Sequence, residues 1–238
     1  AHMNSKMFLL LFLVTLGGAC LFACKPDSDT SDILSPRAAN HPTTAEVIAL
    51  PTPRVQGEIS LEEALSTRRS VRKFTDQALT EAEIGQLLWA AQGITDPAGL
   101  RTSPSAGALY PLELYAVSSE GVYHYEPQGH RLRVHQPGNV RTELYEAALR
   151  QEAVLKAPVV FVIAAVYERT AKKYGSERSP RYVHMEAGHA GQNLLLQAVA
   201  LGLGGVPIGA FYDEQVKESL ELPADQQPLY LIPVGYPE

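Results

Sequence analysis

The chain has 238 residues, 45% of them hydrophobic, a formal net charge of −6 and a sequence pI near 5.7. That acidic balance, with no basic block longer than RRSVRK at 68–73, argues against a nucleic-acid partner. The two cysteines, Cys20 and Cys24, leave no disulfide framework for a processed chain, and no internal repeat is visible.

Ala1-His2-Met3 reads as a cloning scar. Lys6 then precedes the apolar run of residues 7–23, too short and too broken by glycine for a membrane span, so residues 4–23 read as a signal peptide. Leu21-Phe22-Ala23-Cys24 fits the small-residue pattern before a lipidated cysteine better than Gly17-Gly18-Ala19-Cys20. Cys24 is therefore the expected lipid anchor of an exported, membrane-tethered protein, the alternatives being Cys20 or a plain secretory signal with incidental cysteines. Residues 24–57, rich in Pro, Ser, Thr, Ala and Asp without apolar period, read as a largely disordered tether. Residues 58–238 are one domain's worth of chain.

Within that domain, Ser60 with Glu63 predicts a capped helix running to Arg68, and Thr80 with Glu83 predicts a second, with Ile84, Leu87, Leu88 and Ala91 on one face and Gly93 as its stop. Residues 112–117 alternate as a strand, and 121–127 with 130–136 form a hairpin turning at Gln128-Gly129. A helix follows over 139–150. The continuous apolar run 158–166 suits a buried central strand. The longest helix spans 182–203, Asp213 caps a short one, and 228–235 closes the chain as a strand. Helices and strands alternate without a repeated strand–helix unit, which places the chain in the α+β class.

Three stretches carry chemistry. Arg68-Arg69-Ser70-Val71-Arg72 gathers three guanidinium groups and a hydroxyl at a helix end, which is either an anion clamp or a solvated basic helix terminus. Ser103-Pro104-Ser105-Ala106-Gly107-Ala108-Leu109-Tyr110-Pro111 offers small residues that can lie against a planar ligand, or an ordinary Gly/Pro loop. The segment 202–211, GLGGVPIGAF, again permits close backbone approach, but it follows a helix and lacks a phosphate-loop ending. His184 and His189 are five apart, about 140° around a helix at the ~100° step, so they do not share a face as paired zinc ligands would.

RRSVRKF, PSAGALYPLELY, EAGHAGQNLLLQA and GLGGVPIGAF resemble, in order and spacing, the nitroreductase family of flavoproteins over about residues 58–238, and within it the SagB-type dehydrogenases, which include azole-forming peptide oxidases. The resemblance implies a central, mostly antiparallel sheet flanked by helices, an intertwined homodimer, and FMN at the interface. It implies that Arg68, Arg69, Ser70 and Arg72 hold the phosphate and ribityl chain. Pro104, Ser105, Ala106 and Gly107 would approach the flavin from the other subunit. Pro207, Ile208 and Gly209 would line the ring, with a backbone N–H near 209 directed at N5. Gln151 and Asn193 match positions near the flavin or its helix, where packing or capping is an equal reading. Lys173-Tyr174 matches the pair associated with catalysis in the SagB-type branch, a tyrosine beside a cation being able to take or give a proton. Family members commonly continue past 231–237, LIPVGYP, to a basic residue at the phosphate; this sequence ends at Glu238, which implies weaker FMN binding or reliance on the arginines alone.

The function expected is an FMN-dependent oxidoreductase moving hydride between flavin and a small organic or peptide substrate, with O2 or a quinone as acceptor because NAD(P)H is a cytoplasmic donor. If export is wrong, NAD(P)H-dependent reduction of nitroaromatics or quinones is the better reading. A tethered flavin-fold binding protein without turnover is the alternative from another class.

Overall fold

The computed structural model describes residues 46–238. The expected cloning scar, signal peptide, lipid anchor at Cys24 and tether up to residue 45 lie outside the described residues.

The centre is β5 (Val159–Ala165), which packs apolar side chains from both faces, as its unbroken run of hydrophobic residues demands. It pairs antiparallel with β2 (Leu112–Val117) on one side and with β7 (Gln227–Gly235) on the other. Beyond β2 lie β3 (Gly121–Glu126), β4 (Arg131–Pro137) and β1 (Val47–Ala49); beyond β7 lies the two-residue β6 (Gly204–Gly205). The resulting seven-stranded sheet has the order β1-β4-β3-β2-β5-β7-β6 with every strand pair antiparallel.

Helices cover both faces, so the α+β architecture has three layers. Phe161, Ile163 and Ala165 of β5 meet α2 (Glu81–Gln92) through Leu87, Leu88 and Ala91, and α6 (Ser179–Ala200) through Val183, Ala187, Ala190 and Leu194. Val160, Val162 and Ala164 face the opposite way, toward α3 (Arg141–Ala147), α4 (Glu152–Lys156) and α7 (Asp213–Ser219). The period-two alternation of one strand thus feeds two cores, each large buried side chain contributing about 1.5–3 kcal/mol. α1 (Leu61–Thr67) is capped by Ser60 Oγ, which accepts from the Glu63 N–H at 3.1 Å. At α2 the reciprocal box of Thr80 and Glu83 is complete, and Gly93 ends the helix.

Several expectations are corrected. Residues 46–57 are not tether: β1 adds to the edge of β4, Leu50 is buried, and Gln86 both donates to Arg54 O and accepts from its N–H. The signal missed was pairing to a distant strand, which a polar, proline-rich stretch does not reveal. The helix expected over 139–150 stops at Ala147, because Leu149 and Arg150 turn into the left-handed region (φ 56° and 57°) before α4 begins. α5 (Tyr167–Tyr174), for which no element was expected, is a helix lying on α6. α6 starts three residues earlier than expected and ends at Ala200; Asp213 is the first residue of α7, not its cap, which is Tyr212.

Candidate functional site

The candidate residues gather into two groups. The first forms where the chain leaves α1. Val71 N–H donates to Gly205 O at 3.0 Å, and Ser70 bridges Gly205 in parallel register, so the arginine segment is laid along β6. The contact requires glycine: a Cβ on Gly204 would lie 2.6 Å from Val71 Cγ2. Arg69 Nη1 donates to the carbonyls of Ser66 and Arg68 at 3.0 and 2.8 Å, closing the end of α1. Arg68 and Arg72 make no side-chain hydrogen bond or ion pair among the described residues, and Ser70 is exposed between them. Two uncommitted guanidinium groups flanking a hydroxyl form a donor set suited to a phosphate.

Pro207-Ile208-Gly209 continues that group. Ile208 is tied into β7 by reciprocal bonds with Leu231 at 2.8 and 3.0 Å, which leaves Pro207 and Gly209 exposed on either side. No atom lies within 4 Å of the place a Gly209 Cβ would occupy, and its N–H donates to no backbone acceptor among the described residues. An open, uncommitted N–H fits a ring acceptor. Gln151 belongs here: its Nε2 donates to Ala210 O at 2.9 Å and to Ala148 O at 3.0 Å, fixing the end of the segment from behind.

The second group is the loop before β2. Gly107 (φ 65°), Ala108 (53°) and Tyr110 (46°) are all left-handed, two of them without glycine's freedom, which is stored strain of the kind that collects at binding sites. Pro104 and Gly107 are exposed, with Ser105 and Ala106 partly so. A Cβ on Gly107 would lie 2.8 Å from Lys173 Nζ and 3.0 Å from the Tyr174 hydroxyl, so the end of α5 is closed down on this loop. Tyr174 also packs on Tyr182, their ring centroids 4.8 Å apart. Asn193 Nδ2 donates to Ser103 Oγ at 3.1 Å, and that hydroxyl donates to Ala91 O at 2.8 Å; Asn193 thus ties the loop to α6.

Behind the loop lies a polar brace that sequence reading missed. Arg169, one turn before Lys173 on α5, donates to Tyr110 O at 3.1 Å and forms an ion pair with Glu113. His124 Nε2 lies 2.6 Å from the other Glu113 oxygen. Burial alone would raise the Glu113 carboxyl, but the bonds from His124 and the charge of Arg169 hold it below the usual carboxylate range. These groups border a cavity of about 400 Å³ that also admits Arg101 and Arg131. Arg101 stacks on Tyr110, 4.4 Å from the ring centroid, and donates to Gln92 Oε1 at 3.1 Å. Gln92 Nε2 in turn donates to Glu186 Oε1 at 3.3 Å. Glu186 is 3% exposed, and burial pushes its carboxyl up to about 7. His184, set aside as a metal ligand, pairs with the Tyr167 hydroxyl at 2.6 Å.

The Nitroreductase family model matches residues 65–236. A Methanocaldococcus jannaschii protein, named provisionally as a nitroreductase, is 48% identical over 184 residues, covering 75% of this chain and 91% of its own. A Ralstonia eutropha structure with a similarly provisional nitroreductase name superposes with a TM-score of 0.73 at 27% identity, covering 82% of this chain and 91% of that one. A chain of an Escherichia coli microcin synthetase complex, solved with a truncated form of its precursor bound, superposes with a TM-score of 0.64 at 27% identity, covering 82% and 79%.

Proposed function

Since the chain belongs to the nitroreductase family, whose members generally use FMN, we propose that it is an FMN-dependent oxidoreductase of SagB-like type that oxidises a small organic or peptide substrate. The observation that carries this reading is the packing of Lys173 Nζ and the Tyr174 hydroxyl on Gly107. It joins the catalytic pair expected of that branch to the loop expected to approach the flavin. The likeness to a chain of a microcin synthetase complex, solved with a truncated precursor bound, supports a peptide substrate.

Arg68, Ser70 and Arg72 would hold the phosphate, and Pro207, Ile208 and Gly209 would line the ring, the Gly209 N–H serving its N5. The loop from Pro104 to Gly107 would meet the cofactor of a second copy in a homodimer, since the residues that flank it, Ser103 and Tyr110, bond to α2, α6 and α5 rather than to the arginine segment. FMN, when bound, supplies the two-electron redox centre. The residues of this chain do the rest. The Tyr174 hydroxyl takes or gives the substrate proton, and Lys173 Nζ lies beside it, 5.5 Å from the Tyr174 ring centroid. The electrons would leave to O2 or a quinone. The apolar run at residues 7–23 and Cys24 motivate placing the enzyme outside the cytoplasmic membrane on a lipid anchor. Replacing Cys24 with serine would then move the chain from the membrane fraction to the soluble one, and a soluble wild-type protein would remove the anchor.

The deciding test is the visible spectrum of the full chain after incubation with FMN and desalting. A retained flavin spectrum is expected, and Tyr174→Phe should keep the flavin while slowing substrate oxidation about 10²-fold or more. A colourless protein would favour a binding lipoprotein without turnover. NAD(P)H-dependent reduction of nitro or quinone compounds is the second reading, favoured by the nitroreductase name of the 48% identical relative. Rapid flavin reduction by NAD(P)H together with unchanged turnover in Tyr174→Phe would select it.

A further inference from the structure

The sheet comes apart between β2 and β3. These strands pair only from Tyr115↔His124 to Val117↔Val122, although β2 stays paired with β5 as far as Leu112 and β3 with β4 as far as Glu126. Each strand keeps its outer neighbour while the seam between them opens, and the cavity of about 400 Å³ behind the loop is lined by residues from both sides of that seam. Hydrogen bonding alternates from side to side along an antiparallel strand. The Pro111 carbonyl accepts from the Val166 N–H on the β5 side, so the Leu112 N–H is turned toward the seam, where it donates to no backbone acceptor among the described residues.

Three arginines line the opening, Arg101, Arg131 and Arg169, against two carboxylates, Glu113 and Glu126, which leaves a formal excess of one positive charge with His124 neutral. Both carboxylates are already engaged, Glu113 by Arg169 and His124, and Glu126 by Arg131 at 2.5 Å and by Arg133. Arg101 belongs to none of the ion pairs among the described residues. Its Nη1 donates to the neutral Gln92 amide, and its Nε is buried without a partner. Burial pushes its guanidinium below the ordinary arginine value despite the attraction of Glu113 and Glu186. The charge is therefore stripped of water without being neutralised.

We propose that this seam is a binding site for a small monocarboxylate, neutralised by Arg101 with the Leu112 N–H as a second donor. Leu114 and Pro127 in the lining suit an apolar portion on the same ligand. A planar carboxylate matches the guanidinium fork. One excess charge matches a monoanion, whereas a phosphate dianion would set a second negative charge against Glu113 and Glu126. The volume is at the small end of ligand pockets, with room for an acid of amino-acid size. Gln92, 1% exposed, holds Arg101 in place before a ligand arrives. A free organic acid and the C-terminus of a peptide share this chemistry. The inference does not depend on the flavin reading.

The test is titration calorimetry on the full chain with 3-phenylpropanoate and its uncharged amide, and in a second arm with N-acetyl-alanyl-leucine and its C-terminal amide. One saturable site per chain is expected for the acid, with the amide bound about tenfold more weakly, the loss of a charge-assisted bond. Tighter binding in the first arm assigns the site to free acids, and in the second to peptide C-termini. Arg101→Gln should remove the preference for acid over amide. Gln128 lines the opening and is exposed, so its replacement leaves the core untouched. Gln128→Glu should weaken acid binding and Gln128→Lys should tighten it, each by about threefold, with the amide unaffected. These two variants decide the matter if Arg101→Gln fails to fold. Equal binding of acid and amide, no saturable binding of either acid, a preference that survives Arg101→Gln, or acid binding that ignores both Gln128 variants would overturn the inference. A preference lost in Arg68→Gln and kept in Arg101→Gln would also overturn it, by placing the ligand at the arginine segment.

Discussion

Arg68, Ser70 and Arg72 stand at the surface with their side-chain donors uncommitted, on a short segment held by one backbone bond and a glycine contact at β6. The loop from Ser103 to Tyr110 is the reverse case, tied to α6 by Asn193, to α2 by Ser103 and to α5 by Arg169. The first region leaves its side-chain donors uncommitted, and the second spends its donors on itself. That difference teaches where preorganisation resides: the braced loop can offer an accurate position before anything binds, whereas the arginine segment, on the function proposed above, would gain its partners only on binding an anion.

The comparison is broken most strongly at Gly204. Gly204→Ala drives a methyl group into Val71, whose Cβ lies 2.7 Å away, so the backbone must yield. A loss of about 1–3 kcal/mol by denaturant unfolding is expected, together with loss of FMN retention, because the arginine segment is pushed from β6. An unchanged midpoint would show that β6 does not support that segment.

Glu186→Gln acts on the braced region with a sign that depends on pH. The native carboxyl is raised above its unfolded value, so between about 4.5 and 7 the native state binds more protons and stability falls as pH rises. The neutral amide escapes that penalty. The variant should match the wild type at pH 4 and exceed it at pH 8 by up to about 3 kcal/mol, the two and a half pKa units converted. Paired denaturation curves at the two pH values decide this.

Arg169→Met leaves Glu113 with only His124 and frees the start of α5 from Tyr110 O. A smaller loss is expected, about 1–2 kcal/mol, since the arginine side chain is 41% exposed and water screens part of its charge. Its sharper signature is a fall in substrate turnover with FMN retention intact, because Lys173 lies one turn along the same helix. Arg68→Gln should do the opposite: a change in stability within about 0.5 kcal/mol, and weak FMN retention after desalting. Equal effects of these two variants on flavin retention would erase the distinction between the regions.

Much of this was legible before any coordinates. Thr80 and Glu83 mark the start of α2 because a capping box is a local interaction, and residues 158–166 announce a central strand because a strand covered on both faces must be apolar throughout. α5 was not legible: Tyr167–Tyr174 is mostly polar, and its helical form depends on docking to α6. Glu186 left a faint signal, a carboxylate at the helical spacing of Val183 and Ala190, but spacing says only that it is buried.

The local chemistry was thus determined by the sequence alone: the α+β class, strands β2 to β5 and β7, the capped helices α1 and α2, the arginine cluster and the small-residue loop all follow from propensity and pattern within short windows. Tertiary structure alone decided which of these meet. Gln92 and Glu186 are 94 residues apart, and Arg169 and Glu113 are 56 apart. Strand order and helix docking bring each pair together, and no short window of sequence contains both the buried charge and the group that satisfies it.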